Sequence, residues 1–358
     1  MPVDGTLRVA VLGTGFGLSH HAQAWDESAG AKMVAICSAR PGRGQEAARS
    51  LPGVEGFDDW QRMLAEARPD VLVVASRPDE HAEPVIAALG AGIHVLCEKP
   101  MTGSLEEAIR VEKAARESTA LFAMDFEFRF SEIRLAVREA LENGRLGELR
   151  SLLWTVRYPS YDRLAGQPHG WLWEEGRGGG IARAIGSHLL DSLFWFAPLD
   201  WTTGGARWSS IAERDGTPSA ADDAFTVNGF EPGGAGFAIS LAPAHGGFSS
   251  ELTIVGTRAT LVMDESSGTA GIHCGHEAAE TVYEGPPSGP GTPGDDLRPR
   301  LARLVRRFAG AVRGSTGPDL PGIDSGMKVQ KALETVARSV GQDASPLPGG
   351  TAMKSEIK

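Results

Sequence analysis

Short, largely apolar runs recur through the first third of the chain, at Leu7–Leu12, Lys32–Cys37, Val71–Ala75, Gly92–Cys97 and Ala120–Met124. Strands buried on both faces read as such continuous runs rather than as an alternation. Between them lie helical stretches. Ser19–Trp25 follows a glycine-rich turn, His81–Gly90 closes on glycine, and Ser104 caps a helix running to Arg116 with Glu106 and Glu107 in its first turn. The alternation predicts a doubly wound parallel α/β sheet over residues 1–125. From residue 126 the pattern changes. An amphipathic helix over Ser131–Asn143, a strand over Leu152–Tyr158 and a helix over Ile181–Phe196 precede β-prone runs at Ala224–Val227, Ala235–Ser240, Glu251–Val255 and Thr260–Met263. Glycine-rich turns separate these runs, which suits an antiparallel meander. Gly285–Asp295 reads as an exposed loop, Leu301–Gly314 and Ser325–Ser339 as terminal helices, and the tail after Gln342 as frayed. Residues 126–358 therefore form a second, α/β domain, whose last helices are free to pack back on the first.

Composition adds limits. A chain of 358 residues exceeds a typical single core, and 41% hydrophobic content suffices for two. The net charge of -11 argues against nucleic acid or an anionic membrane as partner. Cys37, Cys97 and Cys274 are odd in number and scattered, so no disulfide framework is expected. His273-Cys274-Gly275-His276 lacks a distant second pair of ligands, and no metal is expected there. The N-terminus runs straight into a strand without a charged-then-apolar leader, and no apolar run is long enough to span a bilayer. The expected compartment is the cytoplasm.

Candidate chemistry gathers at the strand ends, where ligands bind in open α/β sheets. Gly13-Thr14-Gly15-Phe16-Gly17 joins the first strand to a helix, the arrangement in which glycines admit a pyrophosphate and the helix N-terminus supplies N–H groups. One departure is that Leu18 stands where the third glycine of G-x-G-x-x-G belongs, with Gly17 one place early. No Asp or Glu occurs between Cys37 and Gly44, where an NAD site places a ribose-binding acid. Ser38, Arg40 and Arg43 offer a hydroxyl and two guanidinium groups that suit a phosphate, so NADP is the expected cofactor and NAD the alternative. Ser76 and Arg77 end the third long strand. Cys97-Glu98-Lys99-Pro100 ends the fourth, placing the Lys99 cation where a ligand would sit. In the second half Arg129 is a candidate substrate contact. Tyr158, Tyr161, His169, Trp171 and Trp173 form either a sugar-stacking wall or an ordinary loop packed by its aromatics. His188 is the candidate general acid/base, since its ordinary pKa lies near neutrality, and Asp191 on the same helix face is assigned to structure.

Gly13-x-Gly15 with His21, Pro78-x-x-His81, Glu98-Lys99-Pro100 and the run Gly178-Gly179-Gly180 to His188-Leu189-Leu190-Asp191 together resemble the glucose-fructose oxidoreductase / inositol dehydrogenase / rhizopine-catabolism family over nearly the whole chain. The resemblance implies a Rossmann domain joined to an α/β domain with an open, mostly antiparallel sheet, which commonly forms a homodimer or homotetramer interface. It implies hydride transfer at a carbinol or carbonyl carbon of a sugar, sugar derivative or cyclitol. Lys99 would touch substrate and cofactor across an often cis Lys-Pro bond, with Glu98 and His81 beside the cofactor. Many members carry an aspartate one turn before the histidine, where this chain has Ala184. Two other readings stand beside this one: an enzyme that uses a tightly held nicotinamide transiently for sugar bond cleavage, and a catalytically weak NADP-binding sensor.

Overall fold

Two sheets organise the computed structural model, which describes residues 5–27, 30–158, 171–198, 200–208, 213–214, 217–218, 221–244, 247–288, 297–315 and 319–339. The first is built from β1 (Leu7–Leu12), β2 (Ala31–Cys37), β3 (Glu55–Phe57), β4 (Val71–Val74), β5 (His94–Cys97) and β6 (Phe122–Met124). Its order is β3-β2-β1-β4-β5-β6, all parallel. The strand order reverses between β1 and β4, and that switch point opens a crevice at the carboxyl ends of the strands. The apolar sequence of β4, and of β5 after His94, follows from cover on both faces: Val71, Leu72, Val73, Val74, Val95 and Leu96 are all fully buried. The crossover helices are α1 (Ala22–Glu27), α2 (Arg43–Ala48), α3 (Trp60–Ala67), α4 (Ala82–Gly90) and α5 (Leu105–Glu117). A reciprocal Ser104–Glu107 capping box starts α5.

After α6 (Glu132–Glu142) the second sheet begins with β7 (Leu149–Tyr158) and continues beyond α7 (Ser187–Phe196) with β8 (Thr202–Trp208). The short pair β9 (Glu213–Arg214) and β10 (Thr217–Pro218) stands apart. The sheet is completed by β11 (Ala224–Phe230), β12 (Gly236–Pro243), β13 (Ser249–Gly256), β14 (Thr260–Asp264), β15 (Thr269–His273) and β16 (Glu280–Glu284). The order β16-β15-β14-β13-β7-β12-β11-β8 is antiparallel except where β12 lies parallel to β7. Along β11 to β15 buried and exposed residues mostly alternate, so one face carries the core. α8 (Arg298–Val312) returns to the first sheet, where Phe308 meets Trp25 edge-on at 6.1 Å. α9 (Ile323–Ser339) packs on β8, α7, α5 and β6, tying the two sheets together.

Two helices expected to run straight open instead with widened π turns, at Gly17–His21 ahead of α1 and at Ala182–Gly186 ahead of α7. Both turns border the crevice. α2, β3 and α3, between residues 43 and 67, carry too few apolar positions to announce themselves; α3 buries only Met63 and Ala67. No helix among the described residues is long and apolar enough to cross a membrane.

Candidate active site

Gly13 turns the chain out of β1 at φ +121°, and a Cβ there would lie 2.1 Å from the Ala75 carbonyl oxygen. Only glycine fits. Gly17 has ordinary backbone angles, but its Cβ would stand 2.7 Å from Cγ1 of fully buried Val11. Gly17 therefore supplies the close helix–strand approach that the third glycine of the motif normally provides. The π turn takes up the missing residue of spacing. Gly13 and Gly15 form part of one wall of a cavity of about 620 Å³.

The cavity runs from the loop after β2, past the glycine turn, to the ends of β4 and β5. Thr14, Gly15, Phe16, Ser38, Arg40, Arg43, Ser76, Arg77, Glu98 and Lys99 line it, together with Trp171, Leu172, Gly178 and Ala184 from the second half. Its length, the cradle at Gly13 and the buried hydroxyl of Ser76, which has no hydrogen-bond partner among the described residues, fit an extended dinucleotide. Ser38 Oγ accepts from the Arg40 amide at 3.3 Å. The Arg43 guanidinium bonds Glu46 at 3.0 Å, whereas the Arg40 guanidinium has no partner among the described residues. Asp58 also stands beside this loop, and the amides of Gly42 and Gly44 occupy it at 2.8 and 3.3 Å. Burial, with Asp58 and Asp59 nearby, pushes the Cys37 thiol up to about 12. Trp60 also lines the cavity, a contact that sequence reasoning missed, since a lone tryptophan at a helix start gives no periodic signal.

Not every expected cofactor residue reaches the cavity. Arg77 lines it, but its charge is taken by Asp79 at 3.0 Å and Glu80 at 2.7 Å. His81 is buried, with Nε2 3.1 Å from the Ser76 carbonyl and Nδ1 3.2 Å from that of Met101. Burial lowers its pKa, so the ring is neutral and braces the backbone beneath Ser76. Below the floor, His21 Nε2 lies 3.0 Å from Glu98 Oε1 and 3.2 Å from Asp125 Oδ2. Burial alone would lower the His21 pKa, but hydrogen bonds to Asp125 and Glu98 raise it to about 9. Burial pushes Asp125 up to about 6 with help from Glu98, while His21 holds Glu98 below its ordinary value despite burial.

Lys99 sits at the join of the two halves, ahead of a cis peptide bond to Pro100. Its Nζ donates to the Ala184 carbonyl oxygen at 2.8 Å. The position that lacks a carboxylate side chain thus still holds the lysine, through its backbone. One turn further on, His188, expected to touch substrate, is 1% exposed and sits behind the cavity wall rather than among its lining residues, its ring stacked on Phe128 at 4.0 Å and 9°. Burial, then the charges of Lys99, Arg134 and Arg300, hold its pKa well below the ordinary value, so the ring is neutral. Glu127, which sequence reasoning passed over, places Oε2 3.7 Å from His188 Nε2.

Arg129, expected to touch substrate, is instead buried against Asp191, with paired bonds of 2.6 Å and a third to Ser325 at 3.1 Å. A planar guanidinium held on both carboxylate oxygens has few donors left for a ligand. Asp191 is structural, as expected, though burial pushes its pKa up against the pull of Arg129. Of the aromatic residues, Trp171 lines the cavity, Trp173 is buried against Ala221, and Tyr158 ends β7. Tyr161 and His169 lie outside the described residues. His273, Cys274 and His276 are exposed at the end of β15.

Residues 7–126 match the family described as "Oxidoreductase family, NAD-binding Rossmann fold", and residues 135–262 match the GFO/IDH/MocA C-terminal domain. An uncharacterized oxidoreductase of Synechocystis sp. is 31% identical over 286 residues, 76% of each chain. D-glucoside 3-dehydrogenase of Escherichia coli is 35% identical over 193 residues, about half (53%) of each chain. The solved structure of levoglucosan dehydrogenase in complex with NADH and levoglucosan, 21% identical, covers 94% of this chain and 97% of its own with a TM-score of 0.82, and so has the same fold. The glycine turn, the Glu98-Lys99-Pro100 strand end and the mixed eight-stranded sheet are thus the parts of one known architecture, and the chain belongs to the GFO/IDH/MocA family of oxidoreductases.

Proposed function

We propose that the protein transfers a hydride between a nicotinamide cofactor and a carbinol or carbonyl carbon of a sugar, sugar derivative or cyclitol. The observation that carries this reading is Lys99, a cation held at the cavity wall between the glycine turn and the second half. The bound nicotinamide supplies or receives the hydride. Amides of the turn after Gly13 bind the pyrophosphate, and the Ser76 hydroxyl gives a further hydrogen bond. Lys99 hydrogen-bonds the reacting oxygen and stabilises negative charge as it develops there. His188, neutral in the resting protein, moves the proton. Trp171 offers a flat apolar face to the sugar ring.

NADP is the preferred cofactor in this reading. Its support is the unpaired Arg40 guanidinium beside Ser38 and Arg43, and the engagement of Asp58 with backbone amides. A homodimer or homotetramer in the cytoplasm completes the proposal.

The test is a turnover screen following nicotinamide absorbance, with NADP(H) or NAD(H) and a panel of monosaccharides, cyclitols and keto-sugars. Turnover is expected with NADP(H) preferred, falling roughly 100-fold or more in Lys99→Ala. Arg40→Ala should narrow the NADP preference by roughly tenfold, the worth of a hydrogen bond to a charged group. Equal use of both cofactors by the parent protein would overturn the phosphate role of Arg40. Silence on the whole panel despite measured cofactor binding would overturn the dehydrogenase reading.

A further inference from the structure

Glu127 is a buried carboxyl group that the chemistry above leaves unused. It opens a short 3-10 turn, Glu127–Phe130, directly after β6 and is 2% exposed. Its Oε2 has no hydrogen bond of ordinary geometry among the described residues, where the neighbouring Asp125 carboxyl group is its side-chain contact, and Nδ1 of His188 has no partner among them. Oε2 and His188 Nε2 are 3.7 Å apart, so a closure of roughly 0.7 Å makes a hydrogen bond. Stacking on Phe128 and an edge contact with Phe126 fix the plane of the imidazole. Unpaired buried polar groups cost stability, and where a protein keeps them a catalytic role is one explanation.

Resting on the hydride-transfer reading, we propose that Glu127 is a positioning residue that relays the reaction proton through His188, with Nε2 facing the carboxyl group and Nδ1 facing the substrate oxygen. In the reducing direction the substrate oxygen becomes an alkoxide as the carbon receives hydride from the nicotinamide. The Nδ1–H bond breaks and an O–H bond forms on substrate. The Glu127 O–H bond breaks and an Nε2–H bond forms. His188 ends neutral in its other tautomer and Glu127 ends as a carboxylate; once product leaves, Nδ1 takes a proton from the emptied site and Nε2 returns its own to Glu127, which restores both groups. Oxidation runs the same steps backwards.

The charges around the pair suit this exchange. Burial, then Asp125 and Glu98, hold Glu127 protonated against the opposing charge of Lys99. Burial, then Lys99, Arg134 and Arg300, keep His188 from becoming a cation. A relay through two neutral groups avoids building an imidazolium beside three fixed positive charges.

Glu127→Gln keeps the shape and removes the transferable proton, whereas Glu127→Asp retains a carboxyl group. In the NADPH-bound protein, Glu127→Gln should lower kcat roughly 100-fold with KM and cofactor affinity within about twofold. The pH dependence of kcat should flatten in Glu127→Gln and return, displaced, in Glu127→Asp. Unchanged kcat and pH profile in Glu127→Gln would overturn the relay. A second readout does not depend on turnover: the ¹⁵N resonances of His188, assigned by their loss in His188→Gln. Should the parent protein reduce or oxidise nothing, the hydride-transfer reading fails by itself, and these resonances decide the pairing. Movement of both His188 nitrogens in folded, cofactor-binding Glu127→Gln supports it; unmoved resonances overturn it.

Discussion

His21 shows how one residue can set the charge of a site it does not enter. It lies beneath the cavity floor, fully buried between Glu98 and Asp125, and holds its proton to about pH 9. A group whose folded pKa exceeds its ordinary value stabilises the fold fully below the ordinary value, and loses that contribution as pH rises through the folded value. For His21 this window runs from pH 6.5 to about 9. The midpoint of thermal unfolding should therefore fall across that interval, and more steeply than in His21→Gln; parallel profiles would show that the pair carries no proton linkage. In the sequence His21 stood out only as one residue of the family resemblance, with no role attached. Its partners were not legible, because Asp125 and Glu98 reach it only through the packing of β5 and β6 against the turn after β1. Arg129 shows the opposite failure. A basic residue beside a site looks like a ligand contact in a sequence, and nothing local betrays that Asp191, far along the chain, already holds its guanidinium through two bonds.

At the scale of elements, the turn between β1 and α1 carries the sharpest constraint. Ala at position 13 would have to adopt φ +121° and move the backbone at Ala75. Gly13→Ala should lose cofactor binding, read by fluorescence titration with NADPH, and destabilise the fold by roughly 1–3 kcal/mol through backbone strain alone. Binding at the parent affinity would mean that the cofactor does not use this turn. The strands around it were legible because burial on both faces leaves a continuous apolar run. The π turns were not: an extra residue in one helical turn leaves the apolar period almost unchanged, and only the early position of Gly17 hinted at the first. The meander was read as separate strands, but its order was not, since the parallel contact of β7 with β12 depends on pairing across nearly ninety residues.

For the whole molecule, the open face of the second sheet is the feature that asks for a partner. Leu153, Thr253 and Val262 stand in register across β7, β13 and β14, with Leu153 54% and Val262 37% exposed. Leu153→Glu should shift the protein from an oligomer towards monomer in sedimentation velocity; a monomeric parent would remove this face as the interface. The contact between the halves has a different kind of consequence. Lys99 is tied to Ala184 through a carbonyl oxygen, and every amino acid brings the same one. The anchor is therefore silent in the genetic code: replacements at 184 that fit the turn leave it in place, and an alignment column there carries no record of it. Evolution can redraw the side chain at this point of the cavity wall while the lysine stays where it is, which makes position 184 a place where the cavity can be reshaped at little risk to the anchor.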